Sequence, residues 1–172
     1  MGTYTAVVGH ARTLALDVGD RRIGLAITDE LGLTAQPLFT LHRAGTSASA
    51  LRSDVKAVGR FIRQHKVEVV VVGNPLHADG TASEQAAKAL AFAAALKEAQ
   101  PALEHHLLDE RLTTREAHAL LDASGRGHRL GRAERLERQD IIDQVAAVLL
   151  LEAFLSGGRP VLLPDPDAAF GE

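Results

Sequence analysis

The segment Val67-Glu-Val-Val-Val-Val72 constrains this chain more than any other. With so many valines in a row it reads as a strand without a solvent face, so other elements must cover both of its sides. Such a strand belongs inside a sheet with helices above and below it. The flanks agree. Leu51, Val55, Val58 and Ile62 precede it at helical spacing, the apolar face of an amphipathic helix. After it, Asn74-Pro75 breaks the strand and Asp79-Gly80 marks a turn. Thr81 and Glu84 then read as a capping box for an Ala-rich helix to about Ala99.

Leu14 to Val18 reads as a first strand, and Asp20-Arg21-Arg22 after Gly19 as a tight turn. In Ile23 to Thr28 large residues (Ile23, Leu25, Ile27) alternate with small ones (Gly24, Ala26, Thr28). That is a strand with one face closely approached by a neighbour. Pro37 to His42 reads as a third strand, and connections this short imply an antiparallel meander. Leu103 to Asp109 is another strand. Thr113 and Glu116 repeat the capping box for a helix ending near Gly125, and a last helix runs from about Gln139 to Leu155 until Gly157-Gly158 stops it. The expected fold class is α/β: a mixed five-stranded sheet with helices on both faces. One domain is expected over residues 13–156, with an N-terminal extension (1–12) and a flexible Pro/Asp-rich tail (157–172).

Composition excludes several functions. There is no cysteine, hence neither a disulfide framework nor a thiolate zinc site. Tryptophan is absent and aromatics are few, which argues against a base-stacking platform. Met1 to Arg12 lacks the pattern of a signal peptide, and the longest apolar run, Val145 to Leu151, is too short to span a bilayer, so a soluble, cytoplasmic protein is expected. Net charge is −3, which argues against a uniform cationic coat. Locally, Arg126, Arg129, Arg132, Arg135 and Arg138 recur at every third position, opposed only by Glu134 and Glu137. They form either a phosphate-contacting arm or a solvated loop leading into a helix.

Three acidic sites stand where solubility does not require them. Asp17 lies inside the first apolar strand, Asp109-Glu110 end the last one, and Asp140 and Asp143 lie at i and i+3 on a largely apolar helix. Burying a carboxylate is costly unless it is paired or holds a cation. Singly, Asp17 could open a turn, Glu110 could pair with Arg111 or Arg115, and the helix aspartates could face the macrodipole. Three such sites converging would form an oxygen-rich pocket suited to Mg²⁺ or Mn²⁺ rather than zinc. Two such ions about 4 Å apart are a known solution for phosphodiester hydrolysis. No Ser–His–Asp or Cys–His set offers covalent catalysis. His105 and His106 fall on opposite faces of a strand and cannot share a metal. His77 could touch phosphate or move a proton, or be a polar loop residue.

Four segments in order resemble the YqgF/RuvX family of pre-16S rRNA nucleases, relatives of the RuvC Holliday-junction resolvases. They are Asp17-Val-Gly-Asp-Arg-Arg-Ile-Gly24, Val72-Gly-Asn-Pro-Leu-His-Ala-Asp-Gly-Thr81, Asp109-Glu-Arg-Leu-Thr-Thr114 and Asp143-Gln-Val-Ala-Ala-Val-Leu-Leu-Leu-Glu152. The resemblance implies an RNase H-like fold, catalytic metal ligands at Asp17, Glu110 and Asp143, and a role in maturing the 5′ end of 16S rRNA, with branched or single-stranded DNA as further partners. It also implies that Gly73, Asp79 and Gly80 shape a loop beside the site, and Gly19 and Gly24 are read as shaping it with them. Arg111 is implied as a phosphate contact or a partner of the carboxylates. Asp20 stands where such relatives often carry a neutral or basic residue, which would make the site more acidic. Asp140 is read as an auxiliary ligand. The chain would act as a monomer or homodimer. The rival readings are a branched-DNA resolvase, a non-catalytic RNA-binding assembly factor, and an actin-like ATP-binding phosphotransferase, since an Asp-x-Gly hairpin also opens that fold.

Overall fold

The structure, a computed structural model, describes residues 11–75, 79, 81, 83–109, 119, 131–158 and 160–163. Among them, strands β1 (Thr13–Val18), β2 (Arg22–Thr28), β3 (Ala35–His42), β4 (Val69–Asn74), β5 (Glu104–Asp109) and β6 (Val161–Leu162) form one sheet in the order β3-β2-β1-β4-β5-β6. β1, β2 and β3 are the antiparallel meander, while β1, β4 and β5 run parallel. Helices α1 (Ala48–His65), α2 (Glu84–Ala99) and α3 (Arg132–Leu155) cover the sheet. This is the mixed α/β, RNase H-like arrangement expected from the sequence, with six strands rather than five.

The two faces are built differently. On one, Leu14, Leu16, Ile23, Leu25, Val70 and Val72 pack with Val55, Val58 and Ile62 of α1 and Phe92 and Leu96 of α2. On the other, Ala15, Ala26, Val69 and Val71 meet Ala147, Leu150 and Leu151 of α3. The valines of β4 thus serve both cores, as their lack of a polar face requires. His105 and His106 also divide between the faces. His105 Nε2 lies 2.8 Å from the Gln100 carbonyl, and the His106 ring lies tilted against Phe154 of α3, 5.3 Å between centroids.

Three boundaries differ from expectation. α3 begins at Arg132, well before Gln139, because Arg-Ala-Glu-Arg-Leu-Glu-Arg-Gln consists of good helix formers. Glu134 also reaches back to the Gly131 amide at 2.7 Å, capping that end. The N-cap of α2 is Ser83, whose hydroxyl accepts from the Ala86 amide at 2.9 Å. Thr81 instead turns to Asp79, donating through its amide and hydroxyl (2.9 and 2.6 Å). In the tail, β6 pairs with β5, Leu163 is buried, and Lys97 Nζ donates to its carbonyl at 2.6 Å. Leu163 is the apolar anchor of that stretch, while Val161 and Leu162 stay exposed and are held by strand pairing. The expected helix after Thr113 lies outside the described residues. Among the described residues no helix is long and apolar enough to cross a membrane.

Candidate active site

The parallel strands β1, β4 and β5 end on one edge of the sheet. Their registers set Leu16 level with Val72 and Leu107, and Asn74 level with Asp109. In sheets with parallel strands, that carboxyl edge is where ligands bind. Asp17 is the next residue of β1 and pairs with Gly24 of β2. Side chains alternate along a strand, so Asp17 shares the face of Ala15 and Ala26, which is the face of α3.

Gly24 determines what meets Asp17 there. A Cβ on Gly24 would lie 2.0 Å from the carbonyl oxygen of Asp143, far inside any permissible contact. The bare backbone therefore lets α3 descend onto β2 at Asp143, and this side chain reaches the same cleft as Asp17. The cleft, of about 240 Å³, is lined by Asp17, Gly19, Asp20, Arg21, Arg22 and Asp143. Two of the predicted carboxylates are thereby brought together. Glu110 lies just beyond the end of β5, outside the described residues, as do Gly80, His77, Arg111, Arg126 and Arg129.

The cleft also holds cations that the sequence reading did not single out. Arg22 Nε donates to Asp143 Oδ2 at 2.6 Å, and Gln139 Nε2 to Asp143 Oδ1 at 3.3 Å. Arg22 stood inside the Asp17–Gly24 segment, and its place at the start of β2 was the available signal. Asp20 does not simply add negative charge, since Lys88 Nζ of α2 binds it at 2.9 Å and has its own pKa raised by that hydrogen bond. The turn itself is pinned from below. The Gly19 amide donates to the Arg22 carbonyl at 2.8 Å, and a Cβ on Gly19 would crowd the same oxygen at 2.9 Å. Arg43 Nη1 donates to the Gly19 carbonyl (2.7 Å) while its Nε pairs with buried Asp54 of α1 (2.7 Å), and Gln85 of α2 donates to the Val18 carbonyl (2.7 Å). Both helices of the far face thus brace the loop that carries the site.

Asp140 takes a different position. It is not among the described residues lining the cleft. Its Oδ2 lies 3.0 Å from His42 Nε2, its carbonyl accepts from the Thr40 hydroxyl at 2.8 Å, and its Oδ1 is buried with no hydrogen-bond partner among the described residues. In this structure it ties α3 to the edge strand β3. Gly73 is buried near the end of β4, and Asp79 anchors the turn at Thr81. Arg132 and Arg135 are exposed on the first turns of α3, and Arg138 is half-buried. Among the described residues, no three acidic or histidine side chains stand close enough to hold a metal ion by themselves.

The sequence profile of RuvX, described as Holliday junction resolvase, matches residues 11–157. A protein of Koribacter versatilis named "Putative pre-16S rRNA nuclease" is 42% identical over 85% of this chain and 87% of its own length. A protein of the same name from Syntrophus aciditrophicus is 40% identical over 84% of this chain and 87% of its own. Thermus thermophilus RuvC in complex with a Holliday junction substrate is similar in structure, with TM-score 0.54 and 13% identity, covering 88% of this chain and all of that one. At that identity the likeness concerns the fold, which is RNase H-like. Matched from its first strand to beyond its last helix, and by relatives it covers almost end to end, this chain belongs to the RuvX family.

Proposed function

We propose that this protein is a divalent-metal-dependent nuclease that hydrolyses phosphodiester bonds in processing the 5′ end of pre-16S rRNA in the cytoplasm. One observation carries the reading: Asp17 from a strand and Asp143 from a helix line one cleft at the carboxyl edge of the parallel strands. The names of its relatives support the substrate, and the RuvX description supports a four-way DNA junction as the alternative.

The donor set fits a hard cation. Asp17 and Asp143 supply carboxylate oxygens without sulfur or imidazole, which suits Mg²⁺ or Mn²⁺. Glu110, which follows the last residue of β5, would be the third ligand. When bound, such ions lower the pKa of an attacking water and neutralise the leaving oxygen. The chain's own part is positioning. Arg22 and Gln139 fix the Asp143 carboxylate, and the braced Gly19 turn fixes the end of β1. Arg21 lines the same cleft and offers its guanidinium to a substrate phosphate.

The test is a cleavage panel in Mg²⁺ and in Mn²⁺ on rRNA precursor, single-stranded RNA and a four-way DNA junction. Asp17→Asn, Glu110→Gln and Asp143→Asn should each lower cleavage by about a hundred- to a thousandfold, the scale of one lost stabilising group. Asp17→Asn should melt no lower than the parent protein, since it relieves like-charge crowding. A large loss of melting temperature there would make Asp17 structural and the reading wrong. Saturable ATP binding without cleavage would favour the phosphotransferase.

A further inference from the structure

Away from the cleft, on the opposite side of the sheet, α1 and α2 bound a surface groove of about 580 Å³. Its floor is apolar, made by Leu51 and Val55 of α1 and Ala95 and Ala99 of α2. Its α1 wall carries Arg52, Lys56 and Arg63. With Gly59 these occupy positions i, i+4, i+7 and i+11, a single stripe on the helix that runs for about 16 Å at 1.5 Å per residue. Gly59 leaves a gap in that stripe, where Gln100 and Arg63 lie over the glycine.

The charge on α1 is one-sided. Arg52, Lys56, Arg60 and Arg63 are all exposed, and none has an ion-pair partner among the described residues. The single acid of the helix, Asp54, is buried and already neutralised by Arg43. On the rim, among the described residues, Glu98 of α2 is the one carboxylate facing three cations. In a chain of net charge −3 this concentration is the opposite of the average. α1 also follows β3, whose last residue, His42, pairs with Arg22 of the active-site cleft. The stripe therefore starts near the site's edge of the sheet and runs away from it.

We propose that this groove is a second binding track for single-stranded RNA, holding the strand that flanks the cut. Its cationic wall would take the phosphates and its apolar floor the sugar and base faces. The inference rests on the nuclease reading for its purpose, but its test does not need cleavage. Binding of fluorescein-labelled single-stranded RNAs of 4 and 15 nucleotides is followed by anisotropy, with EDTA present so that nothing is cut. Arg52→Gln, Lys56→Gln and Arg63→Gln are combined, and the melting temperature confirms folding of this surface variant. The expected result is roughly tenfold weaker binding of the longer RNA with little change for the short one. The slope of log affinity against log salt should fall by about 2, near 0.7 for each cation lost.

Unchanged affinity and slope for the longer RNA would overturn the proposal while leaving the nuclease standing if the parent cleaves. Equal weakening of the short RNA would also overturn it, because the cations would then act on the cleft itself. A loss of dimer in light scattering with RNA affinity unaltered would assign the groove to a second copy of the chain instead. If the parent binds RNA with the predicted slope but cuts nothing in Mg²⁺ or Mn²⁺, the track stands and the nuclease reading fails.

Discussion

The two faces of the β1–β2 hairpin solve different problems with the same backbone. Leu14, Leu16, Val18, Ile23, Leu25 and Ile27 point toward α1 and α2 and fill the space between sheet and helices. Across the strands, Ala15, Asp17, Gly24 and Ala26 point toward α3 and leave little to fill. The first face gains stability from bulk. The second gives up bulk so that a helix can come down onto the strand and bring Asp143 beside Asp17. Packing and chemistry are thus separated by one residue's alternation along a strand.

A matched pair of substitutions would break that comparison most sharply. Leu25→Ala, at a fully buried position, should cost about 2–5 kcal/mol of stability yet leave cleavage intact well below its melting temperature. Gly24→Ala should cost about 3 kcal/mol or more, because the clash is with the backbone of α3 and the helix itself must shift to relieve it. Unlike the loss at Leu25, that shift should also lower cleavage by about 100-fold by displacing Asp143. If activity instead follows stability in both variants, the faces do not divide the work. Urea melts and initial rates on one substrate decide it.

A smaller effect is expected at Arg22, whose ion pair with Asp143 is about a quarter exposed on the arginine side. Arg22→Gln should lower cleavage by about tenfold through a looser Asp143, with less than about 1 kcal/mol lost in unfolding. A stability loss of several kcal/mol, with activity in proportion, would make Arg22 a packing residue. The smallest effect belongs to the other face. Burial pushes the His105 imidazole below its ordinary pKa of 6.5, aided by nearby Lys97. The unfolded chain therefore binds a proton that the folded one resists, and stability should decline as pH falls below 6.5. His105→Gln should flatten the melting temperature between pH 6.5 and 5, on the scale of one titrating group. An identical pH profile would remove His105 from that account.

Much of this was legible in the chain. The large–small alternation of Ile23 to Thr28 announced a closely approached face, and the approach occurs at Gly24. The valines of β4 announced burial on both sides. Asp17 and Asp143 were recognisable as carboxylates in apolar elements, and they line one cleft. What failed to show were partnerships between distant residues. Asp140 was read as an auxiliary ligand beside Asp143, and nothing in the chain announced that its side chain meets His42 and its carbonyl meets Thr40 of the edge strand. Thr81 looked like an N-cap until Asp79 captured it. The tail looked polar because its prolines and aspartates outnumber Val161, Leu162 and Leu163, and the burial of Leu163 depends on the pairing of β6 with β5 and on Lys97.

Arg22 and Asp143 are joined across 121 residues of chain. A ribosome making this protein from its N-terminus therefore releases the Asp17 hairpin long before it releases the helix that completes the cleft. The two carboxylates can face each other only after α3 itself has been made, so the hairpin emerges with half of its cleft still missing.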